Sequence, residues 1–365
     1  MSTTGSPNTK LARIIADDIS AHGPMSVETF MNACLAHPEH GYYLTRDPLG
    51  TKGDFTTAPE ISQMFGELLG LWAADMWIKL GSPGKFVLAE LGPGRGTLMA
   101  DAVRATARVA GFAKAAHIAL VETSPVLKSA QQKNVPLATH YTNVNDLPDG
   151  PLIILANEFF DALPIRQYVK QNGQWFERAV TVASNEATPH LQFQFTTLPL
   201  PVETRHLPPA VQHASEGEIA ETCPIATDIA RTIATRFEQA PGAALFVDYG
   251  HAHSATGDTL QALHQHKYAD VLDHPGEADL TAHVDFEALA HAMPQARTYA
   301  PITQAVFLKS LGIEVRADFL KANADKAQAH EIDAALTRLI NPDQMGQLFK
   351  VMAATSIGAT APAGF

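Results

Sequence analysis

Cysteine is nearly absent from the sequence, since Cys34 and Cys223 are the two that occur in 365 residues. Two cysteines so far apart supply neither a disulfide framework nor a zinc ligand set, which indicates a protein of a reducing compartment. Long apolar runs are also missing, because no stretch approaches the ~20 apolar residues that span a bilayer. The polar start of the chain lacks an apolar signal segment. From these absences we expect a cytoplasmic, soluble protein with no membrane span.

Positive charge is scarce relative to negative charge. The chain has 26 Lys and Arg residues against 38 Asp and Glu residues, which gives a formal net charge of -12. This balance argues against a long-range attraction to nucleic acid or to an anionic membrane, so we expect neither partner and favour a basic one. Hydrophobic residues make up 46% and charged residues 18% of the chain, as in folded proteins. The length allows one large α/β domain with insertions, or two domains.

Much of the chain alternates between strand and helix patterns. The strand patterns lie at residues 86–91, 117–122, 138–141, 152–157 and 243–248, and the helical patterns at 96–109, 124–133 and 224–239. Such alternation predicts a doubly wound α/β fold, in which a mostly parallel sheet has helices on both faces. In open sheets of this kind, ligands bind at the carboxyl ends of the strands.

Other segments surround this alternating core. Before the core, we predict short helices at 8–22 and 26–36, the second capped by Ser26, then a loop at 37–58 and a long helix from Pro59 to about Lys79. Antiparallel strands are predicted within 165–200, with a turn at Asn172 and Gly173. Mostly helix is predicted from 284 to about 349, and a last strand at 351–354. The predicted domains are an N-terminal helical region at 1–82, two halves of the core at 83–164 and 221–365, and insertions on the substrate side at 165–220 and about 250–283.

Residues 90–96 read ELGPGRG directly after the first strand pattern of the core. The dinucleotide pattern G-x-G-x-x-G would place its third glycine at position 97, where the chain has Thr97. The glycines stand instead at Gly92, Gly94 and Gly96, as in the E-x-G-x-G-x-G loop of S-adenosylmethionine-dependent methyltransferases. Glycine permits a sharp bend and a close approach of the backbone to a ligand. A structural strand–helix turn with a chance cluster of glycines is the alternative interpretation.

Acidic residues at several strand ends complement this loop. Glu90 closes the strand before the glycines, and Glu122 closes the following strand, where an acid takes the ribose hydroxyls of a bound nucleoside. Asp146 follows the third strand pattern, where related folds contact the adenine. Together with the glycines, these acids predict a binding site for S-adenosylmethionine.

A dense polar group follows the fourth strand pattern, in the stretch NEFFDALP at residues 157–164. Glu158 and Asp161 lie three residues apart and could hold a guanidinium through forked, charge-assisted hydrogen bonds, with Asn157 framing the cofactor side of the cleft. Methyl transfer from a sulfonium is an in-line displacement, so alignment of the incoming nitrogen is the main task of such a site. The alternative is that Asp161 caps the following helix and that Glu158 pairs with a neighbouring cation.

Five stretches of the chain together resemble one methyltransferase family. They are GDFTTAPEISQMFGE at 53–67, ELGPGRG at 90–96, NEFFDALP at 157–164, VDYG at 247–250 and DLTAHVDF at 279–286. On these motifs the chain resembles the MidA-like family of methyltransferases, which includes a mitochondrial complex I assembly factor, over nearly its whole length. The resemblance implies a Rossmann-like class I methyltransferase fold with a seven-stranded sheet and S-adenosyl-L-methionine as cofactor. It also implies a protein substrate, an arginine of a complex I core subunit or of its bacterial counterpart, that becomes symmetrically dimethylated.

The other motif residues have predicted places around the cofactor and the acceptor. The loop at 53–58 precedes a helix, so its amides and hydroxyls, with Thr57 and Pro59, could bind the methionyl carboxylate, although Thr57 could instead cap the helix. The predicted cleft residues are Gln63 and Glu67, one helical turn apart, Asp248 and Tyr249 at the end of the fifth strand, and His283. The histidines between 251 and 283 fit no common tetrahedral spacing, so no metal is predicted.

The sequence leaves other functions open. An amine methyltransferase acting on nucleic acid would carry Asn-Pro-Pro and an aromatic residue after the fourth strand, whereas Glu158 replaces the first proline here. A non-catalytic assembly chaperone with a retained cofactor pocket is a second alternative, which the intact glycines and Glu122 disfavour. An NAD enzyme is a third, which Thr97 disfavours. The sequence does not specify the oligomeric state.

Overall fold

The computed structural model describes residues 9–45, 57–183 and 191–365, which divide into two units. The core unit contains residues 57–160 together with Asp228–Ala252 and Leu289–Phe365. The second unit is assembled from three parts of the chain, residues 9–45, the described residues of 161–227, and His253–Ala288. The core unit has one large sheet, the second unit has a five-stranded and a three-stranded sheet, and each unit has its own apolar core.

Seven strands run through the core unit, and we number them along the chain. They are β1 Phe86–Leu91, β2 Ala116–Val121, β3 Thr139–Tyr141, β4 Leu152–Asn157, β5 Gly242–His251, β6 Ala296–Thr303 and β7 Phe349–Ser356. Their order across the sheet is β6-β7-β5-β4-β1-β2-β3, and β7 runs antiparallel to its neighbours β5 and β6. The pairs from β5 through β4, β1 and β2 to β3 are parallel. The structure therefore confirms the predicted doubly wound, mostly parallel sheet.

The central strands β1 and β4 are buried along their whole length and are apolar except for Glu90 and Asn157 near their carboxyl ends. All six residues of β1 and all six of β4 are buried. A parallel strand that is covered on both faces reads as a continuous apolar run, which is why these two strands were predicted at their observed bounds. The chain leaves β1 toward β2 and β3 and then returns to β4 on the other side, so the strand order reverses between β1 and β4. Ligands of open α/β sheets bind at such a reversal.

Helices cover this sheet, and one helix pair packs very closely. The helices are Ala58–Ile61, Gln63–Lys79, Thr97–Thr106, Phe112–Ala115, Pro125–Asn134, Pro224–Gln239, Gln304–Ser310, Ile313–Lys321 and Lys326–Ile340, with short turns at Val144–Asp146 and Pro342–Gly346. A Cβ atom at Gly70 would lie 2.5 Å from the Cα atom of Ala102. The absence of a side chain at Gly70 therefore allows Gln63–Lys79 to pack directly on Thr97–Thr106, the helix that follows the glycine loop.

The second unit is built on antiparallel strands and N-terminal helices. Its helices are Lys10–His22, Val27–Ala36, Tyr42–Thr45 and Phe286–His291, with short turns at Thr204–His206 and Pro209–Val211. Its strands are Met25–Ser26, Arg166–Gln171, Gln174–Val182, Phe193–Val202, Ile219–Thr222, Gln261–His264, Lys267–Ala269, Asp279–Thr281 and Val284–Asp285. The predicted antiparallel strands within 165–200 are confirmed, and so is the turn at Asn172 and Gly173, where both residues have positive φ. The predicted cap is also confirmed, since Ser26 Oγ accepts from the N–H of Thr29 at 3.2 Å.

The predicted continuous helix from Pro59 to about Lys79 is wrong, because it is interrupted at Ser62. Ser62 has extended dihedral angles, φ -159° and ψ 136°, and its Oγ accepts from the N–H of Met64 at 3.2 Å. A serine that caps a new helix offers the backbone an alternative to continuing the previous one. The result is a single turn at Ala58–Ile61 followed by the helix Gln63–Lys79.

Two further secondary-structure predictions need correction. The prediction of mostly helix between 284 and 349 misses β6, whose sequence ARTYAPIT contains Pro301. The register of β6 against β7 shifts between Tyr299 and Ile302, and β6 is the edge of the sheet, where a proline and an irregular register are tolerated. The predicted loop at 37–58 contains the helical turn Tyr42–Thr45, and residues 46–56 of it lie outside the described residues.

Candidate active site

The glycine loop after β1 has left-handed backbone at each of its three glycines. The φ angles are 60° at Gly92, 53° at Gly94 and 82° at Gly96, a region that side chains with a Cβ atom rarely adopt. A Cβ atom at Gly92 would also lie 2.7 Å from Cδ2 of Phe159. The glycines are therefore required by the backbone and, at Gly92, by close packing.

Side chains from two helices hold the glycine loop in place. Thr97 Oγ1 donates to Glu60 Oε1 at 2.5 Å, and Arg95 Nη1 lies 3.5 Å from Glu60 Oε2. On the opposite flank, Gln131 Nε2 donates to the carbonyl oxygen of Gly94 at 2.7 Å. These contacts tie the glycine loop to the helices Ala58–Ile61 and Pro125–Asn134.

Glu122, just beyond β2, is buried and strongly hydrogen-bonded. Its Oε1 accepts from the N–H groups of Thr123 at 2.8 Å and Ser124 at 2.7 Å, and its Oε2 accepts from Gln131 Nε2 at 3.0 Å. Burial raises the pKa of the Glu122 carboxyl, although these hydrogen bonds oppose the shift. Each carboxylate oxygen has about two lone-pair sites, so a hydrogen-bonded Glu122 can still receive a ligand hydroxyl.

Gln131 is a site residue that the sequence analysis missed. It is fully buried in the helix Pro125–Asn134 and joins the glycine loop to Glu122, while its Oε1 accepts from His140 Nε2 at 2.9 Å. A polar residue four positions after the buried Leu127, on the apolar side of a helix, was the available signal. That signal gives no partner, because the partners come from β1, β2 and β3.

Two buried acceptors at neighbouring strand ends have no hydrogen-bond donor within the described residues. They are Oε2 of Glu90, the fifth residue of β1, and Oδ1 of Asn157, the last residue of β4. Glu90 is 3% exposed and Asn157 is 7% exposed. Burial, which is the largest cause, raises the pKa of the Glu90 carboxyl well above its ordinary value. Buried polar atoms are normally hydrogen-bonded, so this pair indicates a place for a ligand that carries N–H groups.

Glu158 begins the turn after β4 in a conformation that is unusual for its residue type. Its φ is 49°, in the left-handed region, and its N–H donates to the carbonyl oxygen of Val247 at 2.9 Å. The side chain is half-buried, and Oε1 accepts from the N–H of Ala58 and from Asn157 Nδ2, both at 3.1 Å. The predicted neighbours Asn157 and Glu158 are thus hydrogen-bonded to each other at the carboxyl end of β4.

Asp248, in the last part of β5, contacts the backbone of this turn. It is fully buried, and its Oδ2 accepts from the N–H groups of Phe159 at 3.2 Å and Phe160 at 3.0 Å. Its Oδ1 accepts from the N–H of Tyr249 at 3.0 Å. Tyr249 packs edge-to-face against Phe349, with 5.4 Å between ring centroids. The structure therefore gives Asp248 and Tyr249 defined contacts within the core unit, and their predicted place in an acceptor cleft stays a prediction.

The remaining predicted residues of the core unit lie in several different environments. Thr57 precedes the turn Ala58–Ile61 but makes no side-chain cap, and Pro59 occupies the first turn, as predicted. Asp146 is exposed, and its Oδ2 accepts from Thr142 Oγ1 at 3.2 Å. The structure places these three near strand or helix ends, and their contact with a cofactor stays a prediction.

Gln63 and Glu67 were predicted to share one face toward the cleft, but their surroundings differ. Gln63 is exposed, whereas Glu67 is buried and forms ion pairs with Arg316, at 2.8 and 3.1 Å, and with Arg104, at 3.2 Å. Buried carboxylates need such paired charges. The pairs join three helices of the core unit, so we leave Glu67 out of the proposed acceptor site.

Asp161 and His283 belong to the second unit. Asp161 is buried, and its carbonyl oxygen accepts from the N–H of Ala282 at 3.0 Å. Nearby, Tyr43 Oη donates to Asp279 Oδ1 at 2.8 Å. Burial first, and then the negative charges of Asp279 and Asp161, raise the pKa of the Tyr43 hydroxyl well above its ordinary value. Tyr43 and Asp279 were not singled out by the sequence analysis, and the predicted catalytic role of Asp161 stays a prediction.

Two further predictions are not decided by these residues. The loop proposed to bind the methionyl carboxylate begins at residues 53–56, which lie outside the described residues. The backbone N–H of His283 donates to Thr259 Oγ1 at 2.9 Å, and its predicted place in the cleft is untested. Across residues 9–45, 57–183 and 191–365, no three His, Cys, Asp or Glu side chains form a possible metal site.

Comparison with known sequences places the chain beside methyltransferases. A family model described as an S-adenosyl-L-methionine-dependent methyltransferase matches residues 68–302. The chain is 37% identical over 373 residues to the mitochondrial protein arginine methyltransferase NDUFAF7 of Mus musculus, which covers 94% of this chain and 84% of the mouse protein. The Homo sapiens protein of the same name is 36% identical over 378 residues, 95% of this chain and 83% of the human protein.

Comparison with solved structures gives the same result for the fold. A Burkholderia thailandensis protein that was solved bound to S-adenosyl-homocysteine is 27% identical and matches with a TM-score of 0.82, over 97% of this chain and 93% of that chain. A native crystal structure from the same organism is 28% identical and matches with a TM-score of 0.79 over the same fractions. The matches confirm the predicted class I methyltransferase fold.

The predicted cytoplasmic location is wrong in the light of these relatives. The mouse, rat and human proteins, which are 36–37% identical, are all named as mitochondrial. The prediction rested on a missing apolar signal segment, but mitochondrial import segments are amphipathic and rich in arginine, so an apolar search does not detect them. In the described part of the chain, no helix is both long and apolar enough to span a membrane.

Proposed function

The chain belongs to the family of S-adenosyl-L-methionine-dependent methyltransferases, and on that premise we propose that it methylates an arginine side chain of a protein. The observation that carries this proposal is Glu158, an acidic side chain held at the carboxyl end of β4 in the turn whose next residue, Phe159, packs against Gly92 of the glycine loop. The relatives NDUFAF7 of mouse and human, which are named protein arginine methyltransferases, support the same acceptor.

The residues at the ends of β1, β2 and β4 fit the chemistry of the cofactor. S-Adenosyl-L-methionine, when bound, supplies an electrophilic methyl group and carries an ammonium group with three N–H donors. We assign Glu90 Oε2 and Asn157 Oδ1, two buried acceptors at neighbouring strand ends that have no donor in the described residues, to the ammonium group. Glu122 is assigned to the ribose hydroxyls. The backbone of Gly92 and Gly94 is assigned to the part of the ligand between its ammonium group and its ribose.

The acceptor chemistry depends on how Glu158 treats a guanidinium. Arginine stays protonated at physiological pH, and its charge is spread over three nitrogens. A carboxylate that accepts from a terminal N–H fixes the plane of the guanidinium and concentrates electron density on the nitrogen that attacks. With S-adenosyl-L-methionine bound, that nitrogen would take the methyl group, and Glu158 would accept the proton that the nitrogen loses. Glu158 is therefore proposed to align the acceptor.

The natural acceptor is proposed to be an arginine of a respiratory complex I core subunit or of its counterpart. This proposal rests on the family resemblance of the motifs and on the mitochondrial names of the relatives. The formal net charge of -12 fits a basic protein segment as substrate better than a nucleic acid. Symmetric dimethylation is part of the same proposal.

The direct test is transfer of a labelled methyl group from S-adenosyl-L-methionine to acceptors of different classes. The purified protein is incubated with the complex I core subunit, with the same subunit carrying arginine-to-lysine substitutions, with total RNA, and with small-molecule amines. Among these acceptors, we expect only the subunit to become labelled. Its hydrolysate should contain labelled dimethylarginine, and one of the arginine-to-lysine substitutions should abolish the label. Label in RNA or in small molecules, with none in protein, would show that the acceptor assignment is wrong.

A further inference from the structure

The buried carboxylate of Asp248 accepts hydrogen bonds from backbone N–H groups that lie outside its own strand. Asp248 lies in β5, and its Oδ2 accepts from the backbone N–H groups of two residues in the turn after β4, Phe159 and Phe160. The side chain is 0% exposed. Hydrogen bonds to an ionised acceptor are about twice as strong as neutral ones, and the partners of a buried charge need to stay in place. The carboxylate thus fixes a segment of backbone that has no regular secondary structure.

The fixed segment contains Glu158, whose backbone does not adopt its conformation readily. A residue with a Cβ atom at φ 49° pays about 1–2 kcal/mol relative to ordinary backbone. Such conformations persist where surrounding contacts determine them. Here the contacts lie on both sides, because the N–H of Glu158 donates to the carbonyl oxygen of Val247 at 2.9 Å and the next two N–H groups donate to Asp248.

The same segment also contacts the glycine loop. The ring of Phe159 occupies the space where a Cβ of Gly92 would be, with Cδ2 2.7 Å from that position. Phe160 packs edge-to-face on Phe246 of β5, with 5.1 Å between ring centroids. Displacement of the turn would therefore move Glu158 and would also remove a ring that packs against the cofactor loop.

We propose that Asp248 is a positioning residue of the methyl-transfer reaction, which holds Glu158 in its left-handed conformation through the N–H groups of Phe159 and Phe160. The proposal rests on the proposed function, because Glu158 is taken there to align the acceptor. In this role Asp248 acts through its hydrogen bonds to the turn. A displacement of about 1 Å in such an alignment can lower a rate by about 100-fold.

The test is a double-mutant cycle between Asp248→Ala and Glu158→Gln, with single-turnover rates of methyl transfer and calorimetric binding of S-adenosyl-homocysteine on each variant. Asp248→Ala is expected to lower the rate by about 100-fold in the wild-type background and by less than about threefold when Glu158 is already Gln, because both changes remove one alignment. The KM for the acceptor is expected to change little compared with the rate constant. Asp248→Asn, which keeps one acceptor oxygen, should show the same coupling with a loss of about tenfold, and it replaces Asp248→Ala if that variant does not fold.

A matched control separates positioning from loss of stability. Asp101 is another buried carboxylate of the core unit, paired with Arg104 in the helix Thr97–Thr106. Asp101→Asn is expected to lower the melting temperature while the single-turnover rate, measured well below it, stays within about twofold. If the effects of Asp248 and Glu158 multiply independently in the folded variants, or if the rate of the Asp248 variants follows their stability as in the control, the proposal is overturned.

The cycle also distinguishes this proposal from the proposed function. If the wild-type protein transfers methyl groups to an acceptor other than a protein arginine, the acceptor assignment fails, and the same cycle on that acceptor still tests the coupling of Asp248 to Glu158. If arginine is methylated but the two residues act independently, the acceptor assignment stands and the positioning role is rejected.

Discussion

The loop after β1 and the turn after β4 flank the point where the strand order reverses, and both contain left-handed backbone. In the loop, the residues with φ of 60° and 53° are Gly92 and Gly94. In the turn, the residue with φ of 49° is Glu158, which has a Cβ atom and a charged side chain. The same backbone requirement is thus met by glycine on one side and by a strained acid on the other.

The difference indicates what each side presents to a ligand. Glycine adopts this conformation without steric cost and leaves the backbone accessible, so the loop after β1 presents backbone groups. A glutamate in this conformation costs about 1–2 kcal/mol, which is of the size that one or two buried hydrogen bonds can offset. The turn after β4 therefore presents a side chain, and the bonds from Phe159 and Phe160 to Asp248 stabilise it in place.

The largest effect is expected from removing the charge of Glu158 in the turn after β4. Glu158→Gln keeps an oxygen that can accept from the N–H of Ala58, but the amide no longer attracts a guanidinium as an ionised acid does. We expect the rate of methyl transfer to fall by about 100-fold or more, with cofactor affinity unchanged within about threefold. Transfer rates and calorimetric binding are measured on the same preparation. Glu331→Gln, an exposed change in the helix Lys326–Ile340, serves as the control and should leave both quantities unchanged.

If Glu158→Gln turned over at a near-normal rate, the comparison would lose its functional meaning. Asp248 and Tyr249, at the end of β5, would then be the next residues to substitute.

The next effect is a loss of cofactor affinity on substitution of Gly92 in the loop after β1. Gly92→Ala introduces a Cβ atom 2.7 Å from Phe159 Cδ2 at a φ of 60°, so the loop or the ring must move. We expect the affinity for S-adenosyl-L-methionine, measured by calorimetry, to fall by at least about tenfold, because the backbone can no longer keep its approach to the ligand. Gly81→Ala is the matched control, since Gly81 has a φ of 89° and a Cβ atom added there would meet open space, with no neighbour within 4 Å. Both variants carry the conformational cost, and equal cofactor affinity in the two would contradict the assignment of Gly92 to the ligand.

A smaller effect is expected from Glu90, the buried carboxylate near the end of β1, and it should appear in the dependence of stability on pH. Burial holds the pKa of Glu90 well above its ordinary range, so between the unfolded and folded pKa values the folded state binds one more proton than the unfolded chain. The stabilising contribution is therefore complete below the unfolded pKa and is lost as pH rises through the folded pKa, by at most about 1.4 kcal/mol per pH unit. Glu90→Gln cannot titrate and removes this slope.

The measurement is urea unfolding of the cofactor-free wild type and Glu90→Gln from about pH 5 to about pH 9, where the difference between the two isolates Glu90 from the other titrating groups. We expect the wild type to lose free energy of unfolding relative to the variant as pH rises. Parallel curves would show that Glu90 titrates normally and would weaken its assignment to a cationic ligand group.

The glycine loop after β1 was predicted more fully from the sequence than the turn after β4 that contains Glu158. β1 and β4 were predicted at their observed bounds because they are continuous apolar runs, and the spacing of Gly92, Gly94 and Gly96 indicated a loop for S-adenosylmethionine. These signals are local, since each depends on a residue and its immediate neighbours.

The conformation of Glu158 could not be predicted in the same way. It depends on Asp248, which lies 90 positions later in the chain and on a different strand. The bridge from Gly94 through Gln131 to Glu122 is equally non-local, and a glutamine in a helix carries no sequence signal for its partners. β6 was missed for the opposite reason, because Pro301 interrupts its local pattern and the strand forms through its pairing with β7.

The smallest expected effect tests the strain itself, apart from any reaction. Glu158→Ala and Glu158→Gly both remove the carboxylate and its hydrogen bonds to Ala58 and Asn157, so the difference between the two variants reports the backbone. At ordinary helix positions glycine is less stable than alanine by about 1 kcal/mol, and Glu331→Ala against Glu331→Gly, on the exposed face of Lys326–Ile340, provides that reference. At position 158 the order should reverse, with the glycine variant more stable to urea by up to about 1 kcal/mol, because glycine adopts a φ of 49° without the clash that alanine retains. Both variants should be equally poor methyltransferases, since each lacks the acid. If alanine were the more stable residue at position 158, the left-handed backbone would carry no strain, and Asp248 would have nothing to hold in place.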